Sequence, residues 1–370
     1  MNVLNLIDTG GPGGAETVFL RIATGLNTSR FRCVCAVSRD GWLAQQLRQA
    51  GLEPLILPAS GSLNVGYLRA LMQVIRQADI DVVLAHLYGS AVYGSLAGLL
   101  TRVPVISVLH GQSDINTKER FAGLKAALVR HGSRKIVCVS ENLRAEIAQR
   151  LRLSDASCAV IPNGVDLEAF QPGRDHSIRA ALGLSEDTLL VGAIGNVRAP
   201  KAYDVLLRAA RMLLSQSPRF HFVIAGEISG KLGEQLLDLR RQLGIEAQTT
   251  FLGLRADVAT VLKNLDIFAL SSRTEGFSIA CIEAMACGIP VVATRSGGPQ
   301  HILDPDTGIL VAPNSPEELA AGIAQLAQDA ELRRRFAAAG PKRVRERFSL
   351  RRMLTAYESL FAELAPAPQA

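Results

Sequence analysis

Aromatic side chains are scarce in this 370-residue chain: they make up 5% of it, with a single tryptophan. Basic segments interleaved with aromatics, which grip a nucleic-acid backbone and stack its bases, are missing, so nucleic-acid binding finds no support. Long apolar runs are missing too. Every hydrophobic stretch is broken by Gly, Arg or Pro before the roughly 20 residues needed to cross a bilayer. No basic segment precedes the apolar run Met1 to Leu6, and Asp8 follows at once; no secretory signal is expected, and the chain reads as cytoplasmic or peripheral. The cysteines, Cys33, Cys35, Cys138, Cys158, Cys281 and Cys287, form no paired CxxC spacing with nearby histidine. Reduced core thiols are therefore expected rather than a metal site or disulfides.

What the chain does have is apolar content, 48% of its residues, and enough length for two α/β domains, each with its own core. Strand-like and helix-like patterns alternate throughout. Strands are expected near 2–7, 32–38, 54–57, 81–85, 104–109, 135–140 and 159–162, and again near 189–195, 220–225, 249–252, 267–270, 290–294 and 308–311. Strands alternating with helices imply parallel sheets covered on both faces. Between the two series lies the polar, Gly- and Pro-containing stretch Asn163 to Asp175, which reads as a linker. Domains 1–168 and 169–350 follow, with a last helical pattern within 351–370.

The chemistry concentrates in Ser271 to Thr294, SSRTEGFSIACIEAMACGIPVVAT. An apolar strand precedes it, a polar turn opens it, and Ser278 to Cys287 reads as a helix stopped by Gly288 and Pro290. Glu275 is thereby expected at the carboxyl end of a strand, where open α/β sheets bind ligands, with Glu283 about two turns into the helix behind. The backbone amides of Gly276, Phe277 and Ser278 would face an anion. Two carboxylates at this spacing could equally be a solvated pair. Gly297 and Gly298, which form a second close-approach loop after the next strand, favour a site.

This block resembles the signature of family four of the glycosyltransferases, the group 1 enzymes, which are retaining and have the GT-B fold. The resemblance spans essentially the whole chain and is most specific in the second domain. It implies two facing Rossmann-like domains with a cleft between them: an acceptor-side domain at 1–168, a nucleotide-sugar domain at 169–350, and a last helix that crosses back to the first domain. By position, Glu275 contacts the transferred sugar and Glu283 grips the nucleotide ribose.

GNVRAPKAYD, Gly195 to Asp204, is a Gly turn at a strand end with Arg198 and Lys201 before a helix, which suits a diphosphate. It resembles the family's phosphate turn. Lys201 keeps the usual lysine, whereas Asn196 stands where Arg is usual and Ala202 where Gly is common; Arg198 is the candidate to supply the missing charge. DTGGPGGAETV, Asp8 to Val18, is a Gly-rich loop whose Gly13 and Gly14 amides could approach a donor phosphate or an acceptor. It fails as a dinucleotide fingerprint, because Glu16 occupies the position of the third Gly. His110 ends a strand and precedes Gly111; the resemblance puts its imidazole beside the donor sugar. His86 ends another strand and would line the acceptor side.

Metal-dependent glycosyltransferases hold a divalent ion with an Asp-x-Asp pair after a strand. Asp79 and Asp81 precede their strand, and Asp304 and Asp306 flank Pro305 in a turn, so neither a metal nor any other cofactor is implied. The resemblance implies metal-independent transfer of a sugar from a nucleotide diphosphate donor to a saccharide or lipid-linked acceptor, in polysaccharide or glycolipid biosynthesis. A nucleotide-sugar epimerase of the same architecture and a non-catalytic nucleotide-sugar binder remain open. Lys118 to Lys135 carries six basic residues against Glu119, with Phe121, Leu124 and Leu128 on one helical face beside Lys125. It is either a solvated helix or a peripheral contact with an anionic inner membrane surface.

Overall fold

Thirteen strands form two sheets in the computed structural model, which describes residues 1–58, 64–111, 115 and 121–364. The first sheet comprises β1 (Asn2–Ile7), β2 (Arg32–Val37), β3 (Leu55–Ile56), β4 (Val82–His86), β5 (Val105–Leu109), β6 (Lys135–Cys138) and β7 (Cys158–Val160). Its order is β3-β2-β1-β4-β5-β6-β7, parallel throughout. The second comprises β8 (Leu189–Ile194), β9 (Phe220–Ala225), β10 (Thr249–Gly253), β11 (Ile267–Leu270), β12 (Val291–Thr294) and β13 (Gly308–Val311). Its order is β10-β9-β8-β11-β12-β13, again parallel.

The strands are apolar runs because parallel sheets are covered on both faces; β9, FHFVIA, is buried at every position. Helices lie directly on the strands. In the helix Leu87–Thr101, a Cβ at Gly98 would come within 2.3 Å of Val105 Cγ2, so only glycine lets helix and sheet approach this closely. Each fully buried Leu, Ile or Phe side chain contributes roughly 1.5–3 kcal/mol of hydrophobic stabilisation.

The chain divides into two compact units, Met1–Gly164 with the segment from Leu350 onward, and Val165–Ser349. Val165 enters the second unit by donating its N–H to Phe348 O at 2.8 Å. The last described helix, Leu350–Leu364, packs in the first unit on the helix Gly14–Gly25, where a Cβ at Gly25 would clash with Leu354 Cδ1 at 2.5 Å. Tyr357 and Phe361 of that helix are fully buried, and Phe361 meets Phe31 edge to face at 5.7 Å. Residues 365–370 of the expected terminal stretch lie outside the described residues.

Both sheets reverse direction of growth at one point: after β3 the chain returns to β4 beside β1, and after β10 it returns to β11 beside β8. Loops at the carboxyl ends of the strands flanking such a reversal diverge and leave room for a ligand. The loops that follow β8 and β11 are those carrying Lys201 and Glu275.

Candidate active site

β8 ends at Ile194 and the chain turns at Gly195, whose φ of 145° is a conformation that L side chains rarely adopt. Tyr203 donates its hydroxyl to Gly195 O at 2.7 Å, and the Lys201 side chain lies against the same glycine, Cε being 3.1 Å from where a Cβ would sit. A short turn of 3₁₀ helix, Ala199–Lys201, carries the lysine. Ala202 follows in the left-handed region at φ 51°. That conformation strains an alanine and would suit a glycine. Relieving about 1–2 kcal/mol of left-handed strain against roughly 0.5–1 kcal/mol of added chain entropy, Ala202→Gly should raise Tm by about 1–3 °C. Thermal unfolding followed by circular dichroism checks this; a lower Tm would show that the Ala202 methyl packs more favourably than its backbone is strained.

Lys201 Nζ lies 2.6 Å from Glu275 Oε1, and the two side chains are 23% and 11% exposed. Ser272 donates its hydroxyl to the same carboxylate oxygen at 2.7 Å. The Glu275 backbone is fixed on both sides: its N–H donates to Ser296 O, and its carbonyl accepts from Gly298 N, both at 2.8 Å. Such close approach requires the Gly297–Gly298 pair, because a Cβ at Gly298 would lie 2.6 Å from Phe277 Cα and one at Gly297 would lie 2.7 Å from Glu275 O. The carboxylate charge reaches its neighbours. Burial first, then Glu275, holds the Tyr203 hydroxyl and the Cys281 thiol above their ordinary ranges, so both stay neutral.

Immediately after Glu275 come the N–H groups of Gly276, Phe277 and Ser278, none of which donates to a protein acceptor among the described residues. Ser278 caps the helix Ile279–Ala286 through its hydroxyl, which accepts from Cys281 N at 3.3 Å. The helix is thus one residue shorter at each end than the expected 278–287. Three N–H groups at a helix start, beside an ammonium, form a place where an anion is stabilised. Glu283 stands on that helix at 7% exposure. Phe277 is buried edge to face against Phe348, with ring centroids 5.6 Å apart.

The other sequence candidates are placed less directly. Asn196 turns its side-chain oxygen to the neighbouring loop, accepting from Glu227 N at 2.9 Å. Its oxygen thereby orders the backbone of the loop after β9. Arg198 is exposed, and its guanidinium forms no ion pair among the described residues. The structure does not bring it onto Glu275. Tyr203, Ser272 and Arg273 were not singled out in the sequence: Tyr203 and Ser272 meet Gly195 and Glu275 close by in the chain, but the spacing does not show which way their hydroxyls turn, and the side-chain partners of Arg273 lie 41 to 74 residues away.

In the first unit, Gly13 and Gly14 open the helix Gly14–Gly25, but the loop is filled from within. Glu16 is buried, and its Oε2 stands 2.3 Å from where a Cβ at Gly13 would be. A carboxylate of the protein itself thus takes the space that a side chain at Gly13 would fill. His86 Nδ1 and His110 Nε2 are 3.0 Å apart and their rings stack at 5.2 Å, because β4 and β5 are neighbours, His86 ends β4 and His110 directly follows β5. Burial pushes His110 down to about 4 and holds His86 well below the ordinary imidazole range, with the His110 charge a second cause for His86. Both rings are neutral at pH 7.

Asp8, at the end of β1, behaves in the opposite sense: burial pushes its carboxyl up to about 6, against the backbone hydrogen bonds of Asp8 and Ser90 that lower it, and Glu16 adds repulsion. Acidification from pH 7 towards 4 protonates the unfolded histidines before the folded ones, which lowers stability. Over the same window folded Asp8 takes up its proton before the unfolded chain does, which raises stability. Asp8→Asn removes only the second contribution. The variant should therefore lose more stability than the parent between pH 7 and 4.5, by about 1–2 kcal/mol after allowance for the partial exposure of Asp8. Urea unfolding at the two pH values tests it, and equal losses would rule out the Asp8 contribution.

The sequence matches the family described as Glycosyl transferases group 1 over residues 175–343, and the one described as Glycosyltransferase Family 4 over residues 12–169. Over 308 residues the chain is 32% identical to the D-inositol 3-phosphate glycosyltransferase of Saccharomonospora viridis, covering 78% of this chain and 71% of that protein. The protein of the same name from Mycobacterium leprae is 34% identical over 262 residues, 66% of this chain and 60% of that one, so the match spans less than two thirds of that relative. Among solved structures, Anabaena Alr3699/HepE in complex with UDP-glucose superimposes with a TM-score of 0.87 at 22% identity, covering 98% of this chain and 100% of that chain. WaaG, a glycosyltransferase involved in lipopolysaccharide biosynthesis, gives 0.75 at 16% identity, covering 97% and 99%. These two likenesses carry the fold, GT-B. By its sequence identity to these relatives and by the architecture of its two parallel-sheet units, the chain belongs to the group 1 glycosyltransferases, glycosyltransferase family 4.

Proposed function

We propose that this protein transfers a sugar from a nucleotide diphosphate donor to an acceptor hydroxyl with retention of anomeric configuration, without a metal ion, in polysaccharide or glycolipid biosynthesis. The observation that carries the reading is the Lys201–Glu275 pair at 2.6 Å beside the N–H groups of residues 276–278. As the bond between the anomeric carbon and the diphosphate breaks, positive charge develops on the sugar and negative charge on the leaving phosphate. Lys201 and the three amides stabilise the phosphate, and Glu275 faces the sugar. The acceptor oxygen bonds to the anomeric carbon on the face the phosphate leaves, and the acceptor proton passes to a phosphate oxygen. Glu283 holds the ribose; Gly195, Asn196 and Arg198 line the phosphate turn; His110, neutral, hydrogen-bonds the donor sugar, and the amides of Gly13 and Gly14 serve a donor phosphate or the acceptor.

Thermal stabilisation across a panel of nucleotide sugars tests the reading. A donor at a hundredfold its Kd should stabilise the chain by about 2.7 kcal/mol. Failure of every nucleotide sugar to stabilise would end the proposal. Incubation of the selected donor without acceptor separates the alternatives: an epimerase converts the sugar, a transferase at most hydrolyses it slowly, and a non-catalytic binder never consumes it with any acceptor. Phosphorylated cyclitols belong in the acceptor panel because relatives carry the name D-inositol 3-phosphate glycosyltransferase.

Peripheral contact with an anionic membrane at the cytoplasmic face is part of the same reading. It is supported by the exposed Phe121 and Leu124 at the start of the helix Ala122–Gly132, which also carries Lys125 and Arg130. Lys118, Glu119 and Arg120 of the expected basic stretch lie outside the described residues. Co-sedimentation with vesicles should rise with their anionic lipid content, and indifference to that content would remove the membrane from the proposal.

A further inference from the structure

We propose that Arg273 is a positioning residue, locking the turn that carries Lys201 against the loop that carries Glu275; this rests on the reading of that pair given under the proposed function. Nη1 of Arg273 donates to Ala199 O at 3.2 Å, Nη2 meets Asp204 Oδ2 at 2.7 Å, and Nε donates to Asn314 Oδ1 at 2.7 Å. Its backbone N–H donates to Pro200 O at 2.7 Å. Ala199 and Pro200 are the two residues before Lys201, Asp204 stands in the first turn of the helix Tyr203–Gln216, and Asn314 lies in the loop after β13. One planar fork thus ties three separate segments at the carboxyl edge of a single sheet.

The turn bearing Lys201 has no side-chain cap of its own, and Ala202 within it is held in a left-handed conformation. Its position is therefore set from outside. Ser271 contributes a second tie, its hydroxyl donating to Lys201 O at 2.9 Å. As an ion pair alone, Arg273–Asp204 counts for little, since both side chains are 38% exposed. What matters is the fixed geometry of five donors in one plane, which a lysine ammonium does not reproduce. Loss of the fork releases Lys201 from the place where a leaving phosphate needs it, and the cost falls on the chemical step.

A double-mutant cycle tests this with the nucleotide sugar selected by the stabilisation panel as probe. Arg273→Met is expected to lower kcat about tenfold with KM within about twofold of the parent, and to lower it less than about threefold when Lys201 is already alanine. Arg273→Lys should fall between parent and Met. A similar tenfold loss in both backgrounds would show that Arg273 acts independently of Lys201 and overturn the proposal, as would an unchanged kcat. Should Arg273→Met fail to fold, Asn314→Ala and Arg273→Lys carry the same cycle. A chain that consumes no nucleotide sugar removes both the functional reading and this inference; a chain that consumes one with uncoupled effects removes only the inference.

Discussion

Lys201→Ala is expected to lower kcat by about 10² to 10³, a loss of about 2.7–4 kcal/mol of transition-state stabilisation, as for removal of a preorganised donor to a developing anion. Two effects combine. The ammonium no longer meets the departing phosphate, and Glu275, now answered only by Ser272, presents its charge where a diphosphate must sit. The second effect weakens binding of nucleotide diphosphate as well as turnover. It is separable, because Lys201→Ala with Glu275→Gln should bind the nucleotide more tightly than Lys201→Ala alone. Single-turnover kinetics and calorimetry on the three proteins decide the matter; a parental rate in Lys201→Ala would dismiss the lysine from the chemistry.

Glu275→Gln should reduce kcat by about 10²-fold while leaving nucleotide diphosphate affinity the same or tighter, since the change removes a negative charge near the phosphate but also the group that faces the developing positive sugar. The amide oxygen can still accept from Ser272. It cannot balance Lys201, and the unanswered, part-buried ammonium should lower stability by about 1–3 kcal/mol, less than for a fully buried pair. Both consequences are measurable on one preparation, by initial rates with the selected donor and by urea unfolding. Full activity in Glu275→Gln would remove the carboxylate from the proposed mechanism.

Much of the fold was legible because parallel strands buried on both faces are apolar runs with polar ends: β9, β11 and β13 coincide with the residues expected. Where ends differ, a side chain has taken over from the ladder. β2 stops at Val37 because Ser38 turns to donate its hydroxyl to Asp8 O at 2.9 Å, and β6 stops at Cys138 because Ser140 caps the next helix. Lys201 and Glu275 could each be read from their local turns. That they meet could not, because a contact across 74 residues depends on β8 and β11 being neighbours. The same holds for His86 against His110. Glu16 was visible as the residue that spoils a glycine fingerprint, whereas the direction of its carboxylate is a property of the folded loop. Arg273 looked like one polar residue in a turn; its partners at 199, 204 and 314 give it meaning only after folding.

The helix that begins at Leu350 has a consequence for how the protein is made. The surface it covers, around Gly25 and Phe31, is synthesised before the second unit, yet its cover is synthesised after it. At typical elongation rates the intervening residues 165–349 take on the order of ten to forty seconds to produce. Throughout that interval the amino-terminal half displays an apolar seam to the cell. Its maturation waits on synthesis of the helix that begins at Leu350, so a message cut short within the second unit yields a product with that seam permanently bare.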